Sequence, residues 1–208
     1  MSQFRLFVDA RYASPYAMSV YVTLREKGLE FETVLVDLDQ GQNQSGDYSR
    51  LSLTQRVPTL IHEGFALSES SAITEYLEDL YPQHPVYPRD PAQRARARQV
   101  QAWVRSDLMP IREERSTVVV FYGVKNGPLS AAGRVAAAKL IAAVETLLPE
   151  GAQYLCGEWS IADVDLAVML NRLVLNGDKV PQRLQDYAAR QWQRASVREW
   201  VEKVRPAL

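Results

Sequence analysis

Cysteine, histidine and surplus charge are all scarce in this chain. One cysteine, Cys156, among 208 residues excludes an internal disulfide, so an oxidising compartment would add nothing to the fold and a cytoplasmic location is expected. Two isolated histidines, His62 and His84, form no cluster with that cysteine at zinc-ligand spacing, so metal catalysis is not expected and no metal ligand is assigned. Lys and Arg number 24 against 25 for Asp and Glu, a formal net charge of -1, which lacks the basic excess of nucleic-acid or anionic-membrane binders. Long apolar runs are missing too: "MSQFRLFVDARY" has no signal-peptide core, and nothing approaches a membrane span. A small-molecule partner is the expectation that remains. With 47% hydrophobic and 24% charged residues, the chain has the composition of a globular protein with an ordinary core.

The pattern along the chain changes once. Phe4, Leu6 and Val8 alternate with Arg5, Phe7 and Asp9 as a strand, and Ala17, Val20, Tyr21 and Leu24 recur at helical spacing behind Ser14-Pro15, with Gly28 as the stop. "EFETVLVD" (30–37) reads as a second strand, which makes a parallel βαβ unit. A polar loop over 40–56 leads to a hairpin, with strands at Thr59–His62 and Phe65–Leu67 around a Glu63-Gly64 turn, and then to a helix carrying Ile73, Tyr76, Leu77 and Leu80. "YPQHPVYPRDP" (81–91) holds four prolines and marks the domain boundary.

Beyond it only helices are expected: 92 to about 122 with a kink at Pro110, 130–148, 160 to about 176, a short piece after Pro181, and 196–203. Ser160-Ile161-Ala162-Asp163 and Ser196-Val197-Arg198-Glu199 read as capping boxes at two helix starts. The fold class is therefore an α/β N-terminal domain of βαβ-ββα order over 1–82, a proline-rich linker over 83–90, and an all-α C-terminal helical bundle over 91–208. The four arginines between Arg89 and Arg98 read as a solvated or subunit-contact face.

Ser14, in "ASPYAMS", carries the chemical question. As a nucleophile it needs a neighbouring base and an elbow of the G-x-S-x-G kind, and the sequence offers neither. Two readings remain: an N-cap, or a donor that stabilises an anion at a helix N-terminus. A thiolate suits the second. A thiol of pKa about 8.5 is roughly 3% ionised at neutral pH, and a shift of about two units brings it to roughly three quarters. Val57-Pro58 starts a strand and leaves residue 57 to pair with an extended ligand. Glu69-Ser70 opens a helix, where Ser70 can hold a carboxylate while Glu69 either faces an ammonium or complements the helix dipole. Arg56 offers a carboxylate contact or a solvated charge.

In that order, S-P-Y at the first helix, V-P before the third strand, E-S opening the third helix, a proline-rich linker and S-I-A-D in a helical domain resemble the cytosolic glutathione S-transferase family over nearly the whole chain. "SDLMPIREER", "RVP" and "LSESSAI" are similar to its bacterial YfcF-type members. The resemblance implies a thioredoxin-like N-terminal domain that binds glutathione as co-substrate, with no permanent cofactor, and a homodimer. It also implies that Ser14 hydrogen-bonds the glutathione sulfur, that Val57 before a cis Pro58 pairs with the tripeptide backbone, and that Glu69 and Ser70 hold the γ-glutamyl end. By the same resemblance Arg56 and Asn43 would approach the glycine carboxylate, with Asn43 standing where many relatives have histidine. In glutaredoxins and some classes a cysteine precedes this proline, so serine there points to thiolate activation rather than a mixed disulfide. Tyr12, Trp103, Met109 and Arg112 are the candidates for an electrophile pocket, although aromatics and Met at helical spacing also serve as core. Cys156 reads as buried and inert. The expected activity is transfer of the glutathione sulfur to a small electrophile. Glutathione-dependent reduction of peroxides or disulfides, and a non-catalytic binding protein, are the alternatives.

Overall fold

The computed structural model describes residues 3–208. The opening apolar run forms β1 (Phe4–Asp9), in which only Arg5 is exposed, and Ser14-Pro15 starts α1 (Pro15–Glu26). A strand buried on both faces needs a helix above it and packing below. α1 supplies the first, and Phe7, Val36, Tyr48 and Ile61 gather on the other side. β2 (Phe31–Val36) pairs parallel to β1 from Phe4 opposite Phe31 to Asp9 opposite Val36.

The loop expected to be irregular contains a 3-10 turn at Gln42–Gln44 and a short helix, α2 (Gly46–Leu51). Tyr48 is the reason a helix forms in so polar a stretch: its buried ring packs on Phe7, and its hydroxyl donates to the Arg56 carbonyl at 2.7 Å. β3 (Thr59–His62) runs antiparallel to β1, and β4 (Phe65–Ser68) antiparallel to β3. The turn between them has positive φ at Glu63 (49°) and Gly64 (87°), the sign that a two-residue hairpin requires. α3 (Ser70–Leu80) completes the βαβ-ββα order, and the sheet reads β2-β1-β3-β4.

The next helices are α4 (Pro91–Ser106), α5 (Met109–Glu114), α6 (Thr117–Tyr122), α7 (Ala131–Leu147), α8 (Ile161–Val174) and α9 (Gln182–Trp192), followed by α10 (Ala195–Val201). The single helix expected over 92–122 is thus three. Its break lies at Leu108, whose φ is +62°, and Pro110 falls at the start of α5, where the missing N–H costs nothing. The Ser160 capping box forms, with Asp163 accepting from the Ser160 N–H at 2.9 Å. The Ser196 box does not. α10 begins one residue earlier, Ser196 is buried and donates to Glu26, and Glu199 pairs with Arg25 at 2.8 Å.

Two compact units result. One joins the chain up to Val86 to Ala195–Leu208, and the other is Tyr87–Arg194. The last helix therefore groups with the sheet, by packing on α1, rather than with the helical region that precedes it. The first unit also contains a buried ion pair. Lys27 Nζ donates to Glu78 at 2.6 Å and to the carbonyls of Tyr81 and His84, both at 2.9 Å, which uses its three protons. In the second unit Arg115, 1% exposed, makes a two-pronged contact with Asp178 at 2.6 and 2.8 Å. Among the described residues no helix is long and apolar enough to cross a membrane, and no group of His, Cys, Asp or Glu could hold a metal ion.

Candidate functional site

Strand directions bring the candidate residues together. β1 is parallel to β2 and antiparallel to β3, which is antiparallel to β4, so the carboxyl ends of β1, β2 and β4 share an edge with the start of β3. Ser14 follows β1, Val57-Pro58 precedes β3, and Glu69-Ser70 follows β4. Ligands of open α/β sheets bind outside this edge. Two helices of 12 and 11 residues, α1 and α3, also begin here, so two positive helix ends lie at the edge.

Ser14 is the N-cap of α1, and its Oγ accepts from the Ala17 N–H at 3.2 Å. A hydroxyl has one proton and two lone pairs, so accepting there leaves its proton for another partner. Cap and donor are compatible roles for one atom. The loop that delivers Ser14 is fixed by a residue that sequence reading missed: buried Asp9 accepts from the Ala13 N–H at 2.7 Å and the Ser14 N–H at 3.0 Å, one on each carboxylate oxygen. The legible signal was an acid at a strand end, a few residues ahead of a cap. Burial, then the Asp9 charge, push the Tyr12 phenol above its ordinary pKa, so it stays protonated at neutral pH.

The Val57-Pro58 bond is cis. The β1–β3 ladder ends with Phe7 opposite Thr59, so Val57 lies beyond the last pair while its side chain packs on the Phe7, Tyr48 and Ile61 cluster. Neighbouring loops hold it from behind: the Arg56 carbonyl accepts from Tyr48 and Thr59, and Asn43 Nδ2 donates to the Gln55 carbonyl at 2.8 Å. Asn43 is thus a brace for this turn. The Arg56 side chain is exposed.

Glu69 has φ 76° and ψ 110°, a conformation that costs a non-glycine residue about 1–3 kcal/mol and persists where surroundings enforce it. Its side chain makes no cap bond to α3, whereas its carbonyl accepts from the Ile73 N–H at 2.9 Å, so the backbone serves the helix and the carboxylate does not. Ser70 is buried, and its carbonyl accepts from Thr74.

Of the four electrophile-pocket candidates, Tyr12 lies in the first unit and Trp103, Met109 and Arg112 in the second. Tyr12 belongs to the first unit, where its ring meets Trp200 edge-on at 5.4 Å. In the second unit Trp103 lines a cavity of about 440 Å3 with Arg96, Val100, Lys139 and Leu147. Met109 and Arg112 are not in its lining, and Arg112 is engaged with the Arg105 carbonyl at 2.6 Å. Cys156 is buried, and burial followed by the Asp163 charge pushes its thiol up to about 11.

The family model for the glutathione S-transferase N-terminal domain matches residues 10–85, and that for the C-terminal domain matches residues 90–204. A crystal structure of a glutathione transferase homolog from Burkholderia GL BGR1, with bound glutathione, is 46% identical with a TM-score of 0.80, covering 96% of each chain. A maleylacetoacetate isomerase of Pseudomonas aeruginosa is 40% identical over 103 residues, 48% of this chain and 49% of that protein. One from Dictyostelium discoideum is 32% identical over 114 residues, 54% and 52% of the two chains. The chain spans about half the length of these curated relatives.

Proposed function

Because the chain belongs to the glutathione S-transferase family, we propose that it binds glutathione at the carboxyl-end edge of its sheet, ionises the thiol beside Ser14 and directs the thiolate at a small electrophile. The observation that carries this reading is the Ser14 hydroxyl, which caps α1 through a lone pair and keeps its proton. Lowering a thiol pKa by two units takes about 2.7 kcal/mol of preference for the anion. A hydrogen bond to a charged acceptor supplies roughly 1.5–3 kcal/mol and a helix N-terminus roughly 0.3–2 kcal/mol. Together they suffice without a general base, even with the Asp9 charge nearby, because both Asp9 oxygens already receive N–H donors.

In this reading Val57 pairs with the backbone of the glutathione cysteine, Glu69 and Ser70 take the γ-glutamyl ammonium and carboxylate, and Arg56 meets the glycine carboxylate. Asn43 acts one step back, by bracing Gln55. Tyr12, two residues ahead of Ser14, is the member of the expected electrophile set that shares a unit with the sulfur site. The active species is a homodimer in a reducing compartment, and sedimentation tests its assembly.

The isomerase relatives favour a second use of the same thiolate. Addition of sulfur to an electron-poor alkene gives a single bond that rotates, and expulsion of the sulfur restores the alkene and returns glutathione unchanged. Calorimetric binding of glutathione, followed by turnover with an aryl halide, an organic hydroperoxide and a cis-enedione, tests the proposal. Binding with turnover of any of the three supports it and selects the reaction. Absence of binding overturns it.

A further inference from the structure

The loop that carries Ser14 is also held by the other end of the sequence. Arg205 spreads its guanidinium over four carbonyls: Nη1 donates to Val201 at 2.8 Å and Lys203 at 2.9 Å, and Nη2 to Trp200 at 2.9 Å and Tyr12 at 3.3 Å. Trp200 and Val201 end α10 and Lys203 lies two residues beyond it, so the first three bonds close the helix end and the turn after it, the usual work of an arginine there. The fourth does not belong to the helix. It ties the peptide two residues before Ser14 to a tail 193 positions away in sequence. The Tyr12 ring is fixed from the same side, edge-on to Trp200 at 5.4 Å and under Lys203 Nζ at 5.0 Å.

Tyr12 needs this grip. Its φ is +48°, a region that aromatic residues rarely enter without being held. Asp9 fixes the N–H groups of Ala13 and Ser14, and Arg205 fixes the carbonyl of Tyr12, so opposite charges clamp the turn from two directions.

We infer that Arg205 is a positioning residue for Ser14, and that the C-terminal segment Trp200–Arg205 sets the direction in which the serine hydroxyl is presented. This rests on the reading of Ser14 as the donor to the glutathione sulfur. In this reading Arg205 touches no reacting atom, and of the four carbonyls it holds, that of Tyr12 lies in the loop that carries Ser14. Loss of the clamp should therefore disturb sulfur activation more than glutathione binding.

Arg205→Ala and the milder Arg205→Gln, which keeps donors for the α10 carbonyls, are compared with native protein by amide hydrogen exchange, by glutathione affinity and by kcat against pH. The expected result is faster exchange at Ala13 and Ser14 by about tenfold, from loss of local protection while the remaining amides keep theirs. A fall in kcat of roughly ten- to a hundredfold, with glutathione affinity changed less than about threefold, accompanies it, as for an angstrom-scale misplacement. In a Ser14→Ala background the Arg205 substitution adds no further loss, because the two act in one chain of contacts. Unchanged exchange at Ala13 and Ser14 in both variants overturns the clamp whatever the protein catalyses, since that readout needs no turnover. Faster exchange in a protein whose native form does not bind glutathione sinks the functional reading and leaves the clamp standing as a structural element. Equal losses in the native and Ser14→Ala backgrounds overturn the link from Arg205 to Ser14.

Discussion

Asp9 holds the N–H of Ser14 at 3.0 Å on one carboxylate oxygen and that of Ala13 at 2.7 Å on the other. Strand β1 thus ends in a side chain shaped to receive the turn that follows it. Asp9→Ala strips both amides of a buried charged acceptor, and hydrogen bonds to charged groups contribute about 1.5–3 kcal/mol. Denaturant unfolding should show a loss of about 2–3 kcal/mol, and activity per folded molecule should fall as well. Full stability in the variant would mean the turn is held elsewhere.

Glu69 makes a sharper separation between folding and function. Glycine enters its φ of 76° without steric cost, so Glu69→Gly should raise the thermal midpoint, by relief of about 1–2 kcal/mol net of glycine's own entropy, while glutathione affinity drops. Glu69→Ala keeps the strain and loses the carboxylate, so it should weaken binding without the gain in stability. A Glu69→Gly protein that binds glutathione as tightly as the native one would remove the ammonium contact from the account.

These two residues differ in how well the sequence announced them. The place of Glu69-Ser70 is legible because β4 ends at Ser68 and α3 begins at Ser70, so the N-cap acid and the serine fall at the carboxyl end of that strand. The strained φ was not readable, since glutamate carries no mark of a left-handed position. Leu108 is the same case: its φ of +62° divides the long helix expected over 92–122, and leucine is a good helix former. The alternation of β1, the Glu63-Gly64 turn and the Ser160 box were legible because their causes lie within a few residues. Arg205 and the placement of α10 were not, because an amphipathic pattern shows that a helix has a buried face and not which neighbour buries it.

Lys27 and Glu78 form a pair whose value lies in the backbone it serves. Lys27→Met leaves a buried carboxylate without its cation and should cost about 3–5 kcal/mol by chemical denaturation. An apolar replacement of both partners often recovers such a loss. Here Lys27→Met with Glu78→Leu should recover only part of it, because the carbonyls of Tyr81 and His84 and the N–H of Val86 lose their partners too. A fully stable double variant would show that those backbone groups find other partners.

Cys156 gives a prediction from its thiol, pushed up to about 11 by burial. At pH 8 such a thiol is about 0.1% ionised, against roughly a quarter for an ordinary one. Alkylation of the native protein should therefore run more than about a hundredfold slower than in guanidinium. Equal rates would mean that the sulfur is exposed and reactive, and would put a second thiol chemistry back in play.

The most direct measurement for the whole account is the thiolate absorbance of bound glutathione, followed against pH in native protein and in Ser14→Ala. The account predicts a bound thiol pKa about two units below that of free glutathione in the native protein, and a return toward the free value by at least about one unit in Ser14→Ala, as expected for one hydrogen bond to a charged acceptor. A bound thiol that titrates identically in both proteins would contradict it, because the anion would then owe nothing to the serine at the start of α1.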